Sequence, residues 1–273
     1  MASRRPRPGQ ARRRPAPAPG GGSKRDTGLG GEQVEGRQAV RELLAAQRRR
    51  TREVWIAEEA GESAILAEIA DLAATARVPV RRVPRGRLDA EARTDAPQGV
   101  LARAEALAEA DLTDLAAKGP VPPFLLVLDG VTDPHNLGAL LRSAVGAGMT
   151  GAVLGRHRAA HVTPTVAKAA AGAIEHLPMA LVAGIPAALA ELGRAGVWTV
   201  GLAADGDRPI HELDLGDQPL ALVLGSEGKG LSRLARDRCD VVAQIPLRGP
   251  LESLNVAAAG AVAAFTFART RPI

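Results

Sequence analysis

The stretch FLLVLDGVTDPHNLGALLRSAVGAGMTGAVLG, residues 124–155, decides the fold. An apolar run, FLLVLDG, ends at Asp129-Gly130. The turn pair Asp133-Pro134 follows, then helical spacing over Leu137–Ala147, then a second apolar run, TGAVLG. Strand, helix and strand in that order read as a parallel crossover unit. The pattern continues outward through LPMALV, Ile185–Arg194, VWTVGLA, LALVLG, Leu231–Arg236, VVAQIP and Ser253–Ala268. Thr163 and Pro164 mark the start of a further helix over Thr163–Gly172. Strands that are apolar along their whole length are covered on both faces. The expectation is an α/β domain over 121–273 built on a parallel sheet.

Upstream, residues 106–120 are polar and end in KGP before Pro122 and Pro123, which suits a linker. Residues 34–105 read as a small α/β unit. Its helices are 38–46 and Ser63–Ala76, and its strands Arg52–Ala57, Val78–Val83 and Gln98–Arg103. Two arginine clusters decorate it, one at 48–50 with Arg52, the other at Arg81, Arg82, Arg85 and Arg87. They are either solvated loop residues or a phosphate-contact patch. Residues 1–33 are rich in Pro, Gly and Arg, with almost no large apolar residue, so a disordered basic tail is expected, with order beginning near Val34. The tail is either a polybasic arm for phosphates or a solubilising leader.

Composition narrows the function. Residues 1–33 carry eight Arg/Lys against Asp26 and Glu32, a net of +6, in a chain of +5 overall. The basic character therefore belongs to the tail. Aromatics are 2% of the chain, which excludes a base-stacking sheet of the RRM kind. One cysteine, Cys239, excludes an internal disulfide and a cysteine-based zinc site, and suits the cytoplasm. His157 and His161 lack a third ligand, so no metal is expected; His135 lies beside the turn pair and could touch a ligand. The longest small and apolar run, Val256–Ala268, is too short to cross a bilayer, so no membrane role is expected.

Three stretches place polar residues just after apolar strands, where ligands sit in open α/β sheets. In 128–144, Asn136 can cap the following helix, and Arg142 sits among Leu140, Leu141, Ala144 and Val145, where a charge needs a partner. In LALVLGSEGKGL, 220–231, three glycines make a tight loop around Glu227. The spacing is not that of a nucleotide triphosphatase loop. In 245–265, Ser253 and Asn255 open a helix of small residues, and no G-x-S-x-G surrounds Ser253.

Taken together, the three motifs resemble the SpoU/TrmH family of RNA ribose 2′-O-methyltransferases, in the SPOUT superfamily. The first is carried by Asp133, Pro134, Asn136, Gly138, Arg142, Ser143 and Ala144. The second is carried by Leu222, Gly225, Glu227 and Gly230, and the third by Ile245, Pro246, Gly249, Ser253, Leu254 and Asn255. Leu247 stands where methionine is usual. VEGRQAVRELL and APQGVLA resemble the opening and closing of the family's L30-like substrate-binding domain.

The resemblance implies a knotted parallel-sheet catalytic domain and S-adenosylmethionine as cofactor, held by Gly225, Ile245 and Leu254. It implies ribosomal RNA as partner and, for the 23S rRNA subgroup, a guanosine as target; a ribosomal adenosine, a tRNA or a non-catalytic RNA-binding role are the alternatives. Arg142, Asn136, Glu227, Ser253 and Asn255 become the catalytic set, with Arg142 as base or as stabiliser of the 2′-oxygen. A homodimer is expected through the 121–273 domain, because the helices after Asn136 and Asn255 carry more apolar surface than one sheet face needs. The competing expectation is that the 34–105 unit covers them.

Overall fold

The computed structural model describes residues 28–271, apart from 62, 158, 217 and 251. The first unit runs β1 (Gln33–Glu35), α1 (Arg37–Ala46), β2 (Thr51–Ala57), α2 (Ala64–Thr75), β3 (Val80–Val83), α3 (Arg85–Glu91) and β4 (Val100–Ala104). Its sheet has the order β1-β4-β2-β3, with β2 and β3 parallel and the other pairs antiparallel. Ser63 caps α2 through the Leu66 N–H, as its position predicts.

After α4 (Leu112–Ala116) come β5 (Phe124–Asp129), α5 (Pro134–Gly146), β6 (Gly151–Gly155), α6 (Pro164–Ala169), β7 (Met179–Val182), α7 (Ile185–Arg194), β8 (Trp198–Leu202), β9 (Arg208–Pro209), β10 (Leu220–Gly225), α8 (Arg233–Arg236), β11 (Val241–Gln244) and α9 (Val256–Ala268). The second sheet is parallel throughout, in the order β7-β6-β5-β10-β8-β11-β9. β5 shows why its strands read as unbroken apolar runs. Phe124, Leu126 and Leu128 enter the core on one face, while Leu125 and Val127 enter a separate cluster with Ala188, Leu189 and Leu192 of α7 on the other. Each such side chain contributes about 1.5–3 kcal/mol when fully buried. Among the described residues no helix is long and apolar enough to cross a membrane.

The expected disorder through residue 33 and the start of order near Val34 need correction at their C-terminal end. Leu29 is 1% exposed in the core, its carbonyl accepts the Val162 N–H (2.9 Å), and Gly30 pairs with Val162. Apolar burial and backbone pairing against the second unit fix this short segment despite its composition. Residues 1–27 lie outside the described residues, so the tail reading stands as an expectation for them. β9, α3 and α4 were not legible: each is short and none has a strong apolar period.

Neither reading of the first arginine cluster covers Arg49. Its guanidinium is buried and bidentate to Glu175, with Nε–Oε2 at 3.0 Å and Nη2–Oε1 at 2.6 Å. Nη1 also donates to the Gly31 carbonyl (2.6 Å) and to that of Glu105. One side chain thereby joins the N-terminal segment, the first unit and the second unit. Close by, Gly172 (φ +85°) lets α1 approach so tightly that a Cβ there would lie 2.4 Å from the Glu42 Cβ. Removing one member of a buried pair strands the other charge, at a cost of about 3–5 kcal/mol. Glu175→Ala is therefore expected to lose stability in that range in urea denaturation. A change within experimental error would show that the pair contributes nothing net.

Candidate active site

The motifs follow the C-terminal ends of β5, β10 and β11 and come together at that end of the parallel sheet. Asp133 precedes α5, and its Oδ1 accepts the Asn136 N–H at 2.7 Å, with Pro134 in the first turn. The helix cap is thus Asp133, not Asn136 as expected from sequence. Aspartate followed by proline is itself a cap signature. The consequence is chemical, because the Asn136 side chain is released from capping.

That side chain joins all three motifs. Asn136 Nδ2 donates to Glu227 Oε2 (3.0 Å), and Asn136 Oδ1 accepts from Asn255 Nδ2 (3.0 Å). Asn255 Oδ1 accepts the N–H groups of Ala257 (2.8 Å) and Ala258 (3.3 Å), capping α9. The amide orientations follow from chemistry. Backbone N–H groups demand an acceptor, which turns the Asn255 amide nitrogen toward Asn136, which in turn directs the Asn136 nitrogen at a carboxylate that can only accept while ionised. Glu227 is exposed, and its second oxygen has no partner among the described residues.

The loop carrying Glu227 is closed by two backbone bonds, Ser226 N–H to the Gly230 carbonyl (3.0 Å) and Gly230 N–H to the Ser226 carbonyl (2.9 Å). Gly228 and Gly230 take the left-handed conformation, at φ +80° and +66°. Gly225, paired with Asp129 across β10 and β5, lies directly against the returning chain, where a Cβ would fall 2.0 Å from the Gly230 carbonyl carbon. Asp129 Oδ2 accepts the Ser232 N–H (2.7 Å) and fixes the exit of the loop, a role without a distinct signal in sequence.

In the third motif, Ile245 is half-buried against the core, while Leu254 and Leu247 are 40% and 38% exposed. Ser253 is exposed and makes no hydrogen bond with the described residues. The glycine loop offers exposed backbone groups, and Leu247 and Leu254 of the third motif offer uncovered apolar side chains, two properties that fit an adenosine-bearing cofactor.

Arg142 departs from expectation. It is exposed, and no partner contacts it among the described residues, so it is not a buried charge in need of one. At 100° per residue it lies in line with His135, Ala139 and Gly146, away from the face that carries Leu137, Leu141 and Ala144 inward. Gly146 borders Phe265 of α9. Phe265 (52% exposed) and Val262 (45%) continue the same uncovered surface. The first unit packs instead on α6 and the turn at 173–175, so it does not cover this face.

His135 is exposed and makes no hydrogen bond or ion pair with the described residues, and His161 donates from Nδ1 to the Gly28 carbonyl (2.9 Å). Among the described residues no cluster could hold a metal. Burial pushes the Cys239 thiol up to about 12, helped by Asp240 and Asp129, so it is no thiolate nucleophile.

Comparison with known proteins agrees with this arrangement. The SpoU rRNA methylase family model matches residues 123–265, and the model for RNA 2′-O ribose methyltransferase substrate binding matches 33–110. The chain belongs to the SpoU rRNA methylase family. It is 38% identical over 245 residues to the 23S rRNA (guanosine-2′-O-)-methyltransferase RlmB of Pseudomonas putida, covering 89% of this chain and 98% of that one. The RlmB of Ralstonia nicotianae is 44% identical over 197 residues, 71% and 79% of the two chains. Among solved structures, the SpoU methyltransferase AviRb of Streptomyces viridochromogenes in complex with AdoMet superposes with a TM-score of 0.73 at 25% identity, covering 87% and 89%.

In this SpoU domain, Gly225→Ala is expected to displace the 226–230 loop, because the obstructing atoms are backbone. Calorimetric titration should show S-adenosylmethionine binding lost, while circular dichroism shows the rest folded. Retained affinity would mean that the loop does not hold the cofactor.

Proposed function

We propose that the protein methylates the 2′-oxygen of a guanosine in 23S ribosomal RNA, working as a homodimer in the cytoplasm. The observation that carries the reading is the Asn255–Asn136–Glu227 chain, which ties the three family motifs into one polar site beside the glycine loop. The choice of a 23S guanosine rests on the activity in the names of the relatives from Pseudomonas putida and Ralstonia nicotianae.

S-adenosylmethionine, when bound, supplies an electrophilic methyl group on a sulfonium. Gly225, Ile245 and Leu254 would hold it through backbone groups and apolar contact. This chain's side chains then have to place and activate a ribose hydroxyl. Much of the rate comes from fixing that oxygen in line with the methyl carbon. Asn136 and Asn255, locked by their mutual bond and by the α9 cap, form a rigid floor. The second oxygen of Glu227 is left to accept from the ribose or from a guanidinium. Ser253, exposed and unpaired among the described residues, orients the ribose or cofactor. Arg142 binds the adjacent phosphate and stabilises the negative charge that develops on the 2′-oxygen, since a guanidinium is a strong anion partner and a poor base.

The position of Arg142 supports the dimer. It projects on the same uncovered surface as Gly146, Val262 and Phe265, an apolar face that a second copy would bury. In a symmetric pair, Arg142 of one protomer would stand by the cofactor loops of the other.

Incubation with labelled S-adenosylmethionine and ribosomal RNA, followed by mapping of the modified nucleotide, tests the activity. The expected product is a 2′-O-methylguanosine in 23S rRNA. A product in tRNA or at an adenosine would correct the substrate, and no transfer would overturn the reading.

Arg142→Ala is expected to abolish transfer while S-adenosylmethionine affinity holds, and near-wild-type turnover would remove Arg142 from the site. Sedimentation at micromolar concentration should give a dimer, against 28.2 kDa for one chain. Heterodimers of Arg142→Ala with Asn255→Ala should regain activity if protomers share the site; no recovery confines it to one chain. Deletion of residues 1–27, which spares the packed Leu29 segment, should weaken RNA affinity most at low salt, because phosphate contacts are screened by ions. Unchanged affinity there makes the tail a leader only.

A further inference from the structure

We propose that the cleft between the α1–β2 loop and the α2–β3 turn is a docking site for an RNA phosphate backbone, an inference that rests on the RNA-methyltransferase reading above. The cleft has a volume of about 490 Å³, and Arg50, Thr51 and Arg52 line it opposite Ala76, Arg77, Val78 and Pro79, with Glu105 at the rim. Three arginines and one glutamate thus line it, and Arg52 also borders the neighbouring cleft that holds Glu32, Glu53 and Glu91. Arg50, Arg52 and Arg77 are all exposed, and none makes an ion pair or side-chain hydrogen bond with the described residues.

Several other arginines of this unit are neutralised, although Arg48, Arg82 and Arg93 are not. Arg41 pairs with Glu42 and Glu68, Arg81 with Glu53, Arg85 with Asp89, and Arg103 with Glu53 and Glu91. Arg87 lies over the Trp55 ring, 5.2 Å from its centroid. In the second arginine cluster of the sequence only Arg82 lacks such a partner among the described residues, whereas in the first only Arg49 has one.

Two features of the backbone hold the cleft in readiness. Arg49 points inward to Glu175, so the loop that carries Arg50 is pinned to the methyltransferase domain. RNA held there sits at a fixed distance from the site of methyl transfer. On the opposite wall, Arg77 takes φ +55° just past the end of α2, where the Arg77 and Val78 N–H groups close the helix onto Ala74 and Ala73. That position favours glycine or asparagine. An arginine there keeps its charge at the cleft against a conformational cost. Among the described residues no aromatic side chain lines the cleft, so it reads charge and not bases.

The test uses the full-length protein and a 23S ribosomal RNA transcript, with binding measured across a salt series. The Arg50→Ala/Arg52→Ala/Arg77→Ala variant should bind about tenfold or more weakly at low salt. The slope of log affinity against log salt should fall by about 0.7–0.9 per arginine removed. The KM for RNA should rise, with S-adenosylmethionine affinity unchanged as the control for folding. Arg77→Gly separates charge from packing: relief of the positive φ should hold or raise the melting temperature while RNA affinity falls. If wild-type protein binds and methylates the transcript and these variants match it in affinity, slope and KM, the cleft is overturned alone. Wild-type protein that neither binds nor methylates ribosomal RNA overturns the underlying reading, and the cleft with it.

Discussion

The site depends on one amide. Asn136 gives its nitrogen to Glu227 and its oxygen to Asn255, and so joins loops that follow three different strands of the parallel sheet. Because Asn255 spends its own oxygen on the first turn of α9, the direction of every hydrogen bond in the chain is set by the backbone. Flipping either amide would place donor against donor and acceptor against acceptor. A short polar chain whose polarity is fixed at one end by N–H groups and at the other by a carboxylate keeps a single geometry without being buried.

A second constraint acts between the units. The buried bidentate pair of Arg49 and Glu175 is supported by two backbone carbonyls, so the guanidinium is satisfied on several sides. Ion pairs of this kind fix orientation more surely than they add stability. Here the orientation is that of the arginine-bearing first unit relative to the methyltransferase domain. Leu29 and Gly30 add to it from a segment whose composition reads as tail.

Much of the fold was legible because the strands of the parallel sheet are mostly apolar and several helices begin with clear caps. Ser63 and Thr163 both accept from the third residue of their helices. The three motifs were legible as motifs, and the structure joins their asparagines and Glu227 as one site. What sequence could not supply was direction. Nothing in the spacing says that Asp133 takes the capping role and frees Asn136, or that Arg49 turns inward while Arg48 and Arg50 stay outside. Arg142 was misread as buried because its neighbours in sequence are apolar; its place on the outer side of α5 follows from helical phase, which turns it away from Leu137, Leu141 and Ala144. Residues 28–33 were misread because their partner, Val162, is remote in sequence.

The place of β10 in the sheet bears on how the chain is made. β10 lies between β5 and β8, both of which precede it in sequence, and pairs with each along most of its length. Until residue 225 has left the ribosome, the sheet consists of a β7-β6-β5 fragment and a separate β8, each with an open edge. The first unit, whose strands end at residue 104, can close long before that. Synthesis from the N-terminus therefore separates an early-folding substrate unit from a methyltransferase unit whose central strand arrives after both of the strands it joins, and the open edges must stay apart from neighbouring nascent chains during that interval.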